Sequence, residues 1–363
     1  MVLRWHPNVW SDRTFVEVAA VVAFALVLPR LAPAIARLPR PASCGQLKSD
    51  DSMHRHMNAA RIHRFGSPDV IVVEDIPRPV PAVKDVLVRV AASGVAPWDA
   101  LIREGKSKVS PQPPLTLGSD FAGVVEAVGP GVSQFNSGDE VYGVTNPQFV
   151  GANAEYAIAS ASMIAPKPLR LSSLEAASLP VVAVTAWQML FEHARPEVGQ
   201  TVLILGAAGN VGAFAVQFAA NAGFHVVAVV GTKDVDYARS LGATDVIDYR
   251  TSDFVDVVRS VDVVIDTVGG DTRERAVTVL KPGGILVTVV STDFVPARSD
   301  VRSAFFYAEV TTARLSTISR LLESGKVVPQ VGSILPLADV RTAHEMLAGA
   351  PHQRGKIMLE VAS

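Results

Sequence analysis

Apolar positions fall into two different rhythms along this chain. From Met57 onward, Ile71–Glu74, Asp85–Ala91 and Phe121–Val128 are short alternating or β-branched runs. Pro77, Pro79 and Pro81 punctuate them, as do the turns Gly129-Pro130-Gly131 and Ser137-Gly138-Asp139. Many short strands between regular turn signals predict an antiparallel barrel or sandwich. Leu171–Ala177 and Val184–His193 read as helices, and past them the rhythm changes. Thr201–Leu205 is an apolar run too short for a helix, Phe214–Ala222 suits a helix packed on a sheet, and His225–Val230 is a β-branched strand. Asp234–Leu241 is a helix ended by Gly242, Asp245–Tyr249 a strand and Phe254–Ser260 a short helix. Asp262–Thr267 and Gly284–Val290 are further strands, with Phe305–Val310 as a candidate last one. This alternation predicts a doubly wound parallel sheet, and hence the α/β class. Thr311–Ser324 then reads as a helix with Gly325 just past its end. Val331–Leu335 and Lys356–Val361 are strand-like and are candidates to complete the first, β-rich domain, with the parallel sheet inserted in it.

Composition narrows the class of protein. With 363 residues the chain holds two domains and a sizeable core. Charge is nearly balanced, 33 basic against 35 acidic residues, so nothing points to nucleic acid or an anionic membrane as a partner. Apolar content of 49% with 19% charged residues argues against disorder over most of the length. Cys44 is the one cysteine, which excludes an intrachain disulfide framework and a four-cysteine zinc lobe.

The candidate chemistry is centred on Gly206-Ala-Ala-Gly209-Asn-Val-Gly212, between the strand at Thr201 and the following helix. Glycines at such spacing allow a tight turn, let backbone N–H groups approach a pyrophosphate, and let helix and strand pack closely. The helix N-terminus adds orphan N–H groups and a partial positive charge. A lone glycine motif is weak, but its strand–turn–helix setting supports a dinucleotide site.

A series of short motifs surrounds this turn. Arg61-Ile-His-Arg-Phe-Gly66, Gly94-Val-Ala-Pro-Trp-Asp99, Leu117-Gly-Ser-Asp-Phe-Ala-Gly123, Gly138-Asp-Glu-Val-Tyr142 and Gly151-Ala-Asn-Ala-Glu-Tyr156 precede it. Asp266-Thr-Val-Gly-Gly270 and Arg354-Gly-Lys356 follow. In this order they resemble the medium-chain dehydrogenase/reductases, and most of all the zinc-free quinone oxidoreductase branch with zeta-crystallin and the alkenal reductases. The resemblance implies a GroES-like β-barrel catalytic domain (residues 57–177 with 313–363), a Rossmann domain (178–312), and an active-site cleft between them.

Zinc-dependent members of that family use a cysteine, a histidine and a further cysteine or carboxylate. Here the matching positions are Ala96, Ser119 and Val181, none of them a zinc ligand, so no metal is expected.

The cofactor expected is NADPH. An NAD site usually ends its second strand in an acid about 20 residues past the glycines, to hold the ribose 2′-OH. That position is Gly231, and Lys233 beyond it is placed to meet a 2′-phosphate as a point charge. By resemblance to the alkenal reductases, Thr232, Lys233 and Tyr249 sit by that phosphate. Asp234 is either a ribose ligand or a first-turn acid of the next helix. The family pattern also places Ala208, Gly209, Asn210 and Val211 at the pyrophosphate and Thr185 near the nicotinamide ribose. Thr267, Val268, Val290 and Ser291 close the pocket, and Gly355 and Lys356 return to it from the tail. Ordinary packing is the competing role for each side chain.

No catalytic side chain is assigned. The branch often carries Asn at Ala96 and Tyr or Lys at Leu101, and both polar groups are missing here. Asp99 reads as a structural hydrogen-bond partner, Arg103 as a surface charge, and Tyr142 and Tyr156 as packing residues. Trp98 either lines the cleft or fills the barrel core. The expected activity is NADPH-dependent reduction of quinones or α,β-unsaturated carbonyls by direct hydride transfer to a small apolar electrophile. An enoyl-thioester reductase, which needs a basic patch by the cleft, and a low-turnover NADPH-binding protein are the alternatives. A homodimer is left open.

Residues 1–56 follow neither rhythm. Arg4 and Arg13 precede the apolar run Val18–Leu28, which stops at Pro29. The run is shorter than the about 20 residues that a bilayer span needs. With Ala34-Ile35-Ala36 it mimics a secretory signal. A disordered extension and a true translation start at Met53 or Met57 are the other readings. Export is at odds with a soluble nicotinamide cofactor, and the last is preferred because Met57-Asn-Ala-Ala-Arg-Ile begins a complete domain without help from upstream; the expected location is cytoplasmic. No catalytic role is expected for residues 1–56.

Overall fold

The computed structural model describes residues 56–109, 111–292 and 294–361. Apart from His56, the readings of residues 1–56 lie outside the described residues.

The first half of the chain is β-rich. β1 (His56–Ile62), β2 (Ile71–Pro77) and β3 (Asp85–Val95) lead to the short helix α1 (Pro97–Arg103). β4 (Leu115–Thr116), β5 (Asp120–Val128), β6 (Glu140–Val144), β7 (Tyr156–Ser160) and β8 (Ile164–Pro166) follow. α2 (Ser173–Ala177) and α3 (Pro180–Trp187) carry the chain to β9 (Thr201–Leu205). Then come α4 (Asn210–Asn221), β10 (His225–Val230), α5 (Val235–Ser240), β11 (Asp245–Asp248) and α6 (Phe254–Val257). β12 (Val261–Asp266), α7 (Gly270–Ala276), β13 (Leu280–Thr288), β14 (Arg302–Phe305) and α8 (Thr312–Glu323) complete this part. The tail adds β15 (Val331–Pro336), α9 (Val340–Leu347) and β16 (Lys356–Glu360).

Two sheets decide where the site lies. One is six-stranded, in the order β11-β10-β9-β12-β13-β14, and its registered pairs are all parallel. Val202, Leu203, Ile204 and Leu205 of its central strand are fully buried. This is what a strand covered by helices on both faces requires. The reversal of strand order at β9 and β12 opens a crevice at their C-terminal ends, where ligands of such sheets bind. The other sheet is seven-stranded, in the order β15-β16-β3-β5-β6-β8, with β7 also paired to β3. The tail enters it through antiparallel pairing of β16 with β3, Ile357 opposite Val95. The fold is α/β, as the alternation of strands and helices indicates.

Several elements differ from the sequence pattern. The last parallel strand is Arg302–Phe305, not Phe305–Val310. Past Phe305 the chain is drawn away from the sheet: Phe306 stacks on His193 at 4.2 Å, and Glu309 N–H donates to Gln188 Oε1 at 3.0 Å. The helix read at Val184–His193 begins earlier, at Pro180, and widens into a π-helical turn over Gln188–Ala194. α1, α7 and α9 have no counterpart in the pattern, because each is short and two begin in glycine- or proline-marked turns. Among the described residues no helix is long and apolar enough to cross a membrane.

Candidate active site

The first turn of α4 is built by its three glycines. Gly206 has φ +73°, and a β-carbon there would lie 2.5 Å from Thr267 Oγ1. A β-carbon on Gly212 would lie 2.2 Å from the Gly206 carbonyl oxygen, so only glycine lets the helix pack this closely on β9. Gly209 caps the helix without a side chain and is exposed. The first N–H groups of α4 therefore have no capping acceptor from the cap residue, and their dipole faces an open surface. Beside this turn, Thr267 Oγ1 donates to Leu205 O at 2.8 Å. Buried Asp266 accepts from the N–H groups of Val268 and Gly269, at 3.0 and 2.8 Å, and from Thr288 Oγ1 at 2.7 Å. These bonds hold the ends of β12 and β13 against the glycine turn.

Two cavities meet at this helix turn. One, of about 690 Å³, is lined by Ala208 and Gly209 together with Gly231, Asp234, Tyr249 and Arg250. The other, of about 520 Å³, is bounded by Val211 of the same turn, by Thr185, and by Trp98 and Leu101 of α1. The wall is mostly aromatic and branched aliphatic, with Phe149 and Phe305 among its members.

Most residues singled out from the sequence come together here. Ala208, Gly209, Tyr249 and Val268 line the first cavity, and Thr185, Val211, Val290 and Ser291 the second. Asn210 opens α4, and Thr267 backs the turn through its bond to Leu205. Thr185 Oγ1 donates to Val181 O of its own helix at 2.7 Å, so its hydroxyl is already satisfied. Thr232 and Lys233 form a 3₁₀ turn with Asp234 directly after Gly231, and Lys233 is exposed. Gly355 has φ +112° and meets the backbone of Gly332. Lys356 is placed elsewhere, inside the barrel lobe. Its Nζ lies 2.6 Å from Asp120 Oδ2 and 4.1 Å from the centroid of the Trp98 ring, and its side chain is 1% exposed.

The tail residue that reaches the nucleotide-side lobe is Arg354. Its guanidinium pairs with Asp234, donates to Lys233 O at 3.3 Å, and lies 4.3 Å from the Tyr237 ring centroid. Arg250 was likewise missed, although it follows Tyr249 directly. Arg354 enters the sequence reading only within the motif Arg354-Gly-Lys356, with no contact assigned to its side chain.

The neighbourhood of α1 is polar and buried. Asp99 accepts from Ala96 N at 2.8 Å, and burial pushes its carboxyl up to about 7, with Lys356 opposing and Asp120 adding to the rise. Burial also raises Asp120, against the pull of Lys356. Trp98 both lines the second cavity and donates Nε1 to Ser119 Oγ at 3.1 Å. Arg103 is not a surface charge: it is 2% exposed and donates to Gly66 O and to His344 Nδ1, at 3.0 and 2.8 Å. Burial, then Arg103, holds His344 down at about 3, a neutral acceptor. Tyr142 is more than packing, since its hydroxyl donates to Leu315 O of α8 at 3.0 Å. Tyr156 stacks under Arg78, 3.5 Å from its ring centroid.

Zinc does not fit this site. Ala96, Ser119 and Val181 offer one hydroxyl between them, and that hydroxyl accepts from Trp98. Among the described residues no group of three or more His, Cys, Asp or Glu is placed to hold a metal ion.

Comparison with known proteins agrees with this geometry. Residues 82–169 match the alcohol dehydrogenase GroES-like domain, and residues 241–359 match the family described as zinc-binding dehydrogenase. The quinone oxidoreductase of Sus scrofa is 31% identical, over 84% of this chain and 97% of its own length. The 2-methylene-furan-3-one reductase of Solanum lycopersicum is 34% identical, over 85% of this chain and 79% of its own. The structure of the quinone oxidoreductase from Coxiella burnetii superposes with a TM-score of 0.79 at 32% identity, covering 85% of this chain and 100% of that one. Barrel lobe, parallel sheet and glycine turn thus belong together: the chain is a member of the medium-chain dehydrogenase/reductase superfamily, a nicotinamide-cofactor-binding oxidoreductase in its quinone oxidoreductase, zeta-crystallin-like branch.

Proposed function

We propose that this protein is an NADPH-dependent reductase of quinones or α,β-unsaturated carbonyls that works without zinc, in the cytoplasm. The observation that carries this reading is the shared wall of the two cavities. Ala208 and Gly209 face one and Val211 the other, so a dinucleotide with its pyrophosphate on the first turn of α4 extends into both. The charge around the first cavity favours a 2′-phosphate. Gly231 supplies no acid, Asp234 is tied to Arg354, and Arg250 lines the wall.

The bound cofactor supplies a hydride, which an electron-poor β-carbon or quinone carbonyl system accepts. The chain's part is to orient and to exclude water. The backbone at the start of α4, Asn210 and Val211, would hold the pyrophosphate, while Trp98, Leu101 and Val181 present an apolar wall to the substrate. No side chain is assigned as donor, and in this reading the proton that completes the two-electron reduction comes from water.

The test is a panel of quinones and enones assayed with NADPH and, in parallel, with NADH. NADPH oxidation with at least one acceptor is expected. Saturable NADPH binding with no oxidation across the panel overturns the enzymatic reading and leaves a binding protein.

A further inference from the structure

The apolar cleft has a charged rim that hydride transfer to a neutral quinone does not use. Its wall runs from Thr185, 5% exposed, to Lys106, whose side chain is 66% exposed. Lys106 and Lys108 both line it, on the segment that leaves α1, and among the described residues no acidic side chain does. Glu104, two residues before Lys106, is shared: it lies 2.7 Å from Arg103 Nη2 and 2.8 Å from Lys106 Nζ. Lys108 makes no ion pair among the described residues. His344 is held neutral behind Arg103, and Glu309, next to the lining residue Ala308, is engaged by Arg314 at 2.9 Å. Two ammonium groups thus stand at this edge, Lys106 sharing Glu104 with buried Arg103 and Lys108 in no ion pair, on a chain whose charge is otherwise nearly balanced. An apolar cavity with one unpaired and one partly compensated ammonium group at its mouth is complementary to an apolar molecule with an anionic end.

We propose that the substrate of this cleft is amphipathic: an apolar, electrophilic quinone or enone body carrying an anionic group, held at the rim by Lys106 and Lys108. The inference rests on the reductase reading above and names the substrate class of the same site. The anion is a carboxylate on the chain itself or the phosphates of a thioester carrier, which share the same electrostatic recognition.

The experiment compares trans-2-octenal with its ω-carboxylate, in which the terminal methyl is replaced, and with the octenoyl thioester of coenzyme A. At low ionic strength kcat/KM is expected to be about three- to tenfold higher for an anionic substrate than for octenal, the scale of one or two exposed charge pairs. The ratio is expected to fall towards one in Lys106→Ala/Lys108→Ala and in about 0.5 M NaCl, where the Debye length is only a few ångströms. A larger gain for the carboxylate assigns the anion to a free acid, and a larger gain for the thioester assigns it to phosphate. Octenal turnover with a ratio of one for both anions overturns the amphipathic substrate alone, as does a ratio unchanged in the double variant. Absence of turnover with all three overturns this inference, while the reductase reading stands or falls with the quinone and enone panel. Calorimetric binding of octanoate against octanol, in wild type and double variant, gives a readout independent of turnover. Equal affinity for the two also overturns the proposal.

Discussion

Lys356 and Asp120 form a buried ion pair, 2.6 Å between Nζ and Oδ2, with side chains 1% and 0% exposed. It fastens the tail strand β16 to β5 across the barrel lobe, beneath Trp98 of the cleft wall. A pair this deep gains little over an apolar replacement, but loss of one partner strands a charge in a low-dielectric interior. Lys356→Met is therefore expected to cost about 3–5 kcal/mol in urea unfolding. Lys356→Met with Asp120→Asn is expected to recover a large part of that loss. Equal losses in the single and double variants would contradict the ion-pair account.

Gly212 is the point at which α4 touches the glycine turn. Gly212→Ala places a methyl 2.2 Å from the Gly206 carbonyl oxygen. Because that contact is to backbone, α4 must move away from β9. A stability loss of about 1–3 kcal/mol is expected, together with at least tenfold weaker dinucleotide binding in a fluorescence titration. Gly138→Ala, with open space around its β-carbon position but φ +97°, is the control. It is expected to lose stability without losing cofactor affinity.

The choice between the two nicotinamide dinucleotides is tested through charge. Lys233→Ala and Arg250→Ala are each expected to weaken NADPH binding several-fold and to leave NADH nearly unchanged. Arg354→Ala releases the Asp234 carboxylate towards the first cavity and is expected to shift the NADPH-to-NADH affinity ratio further towards NADH. A ratio unaltered in all three variants would remove the basis for preferring NADPH.

Asp99 predicts a pH dependence of stability. Its carboxyl lies near 3.8 ordinarily and is raised to about 7 in the fold, so between those values the folded protein holds a proton that the unfolded chain has released. Stability from this group is complete below about 3.8 and is lost as pH rises towards 7. Asp99→Asn stays neutral throughout and still accepts from Ala96. The wild type is expected to lose about 2–4 °C more of Tm than this variant between mildly acidic and mildly alkaline solution. Parallel curves would show that Asp99 is ionised throughout.

The pattern of apolar residues by itself indicated the parallel sheet and a helix over Phe214–Ala222, which the fold begins earlier, at Asn210, and the ordered motifs carried the family resemblance. These depend on local periodicity and on glycines whose backbone conformation no other residue adopts cheaply. That Ala96, Ser119 and Val181 make no zinc-donor set was legible too, since donor chemistry is a property of residue type. Only the tertiary structure decided the partners of the charged residues. Arg103 reads as a surface charge in sequence and Lys356 as a cofactor contact, yet His344 and Asp120 meet them from positions 241 and 236 residues away. Arg354, next to the predicted Gly355, crosses to Asp234 for the same reason: long-range ion pairs leave no periodic trace. The cleft followed the same division. The glycine turn beside it was legible, while its rim of Lys106 and Lys108 emerged only when the end of α1 and the parallel sheet were brought to one cavity.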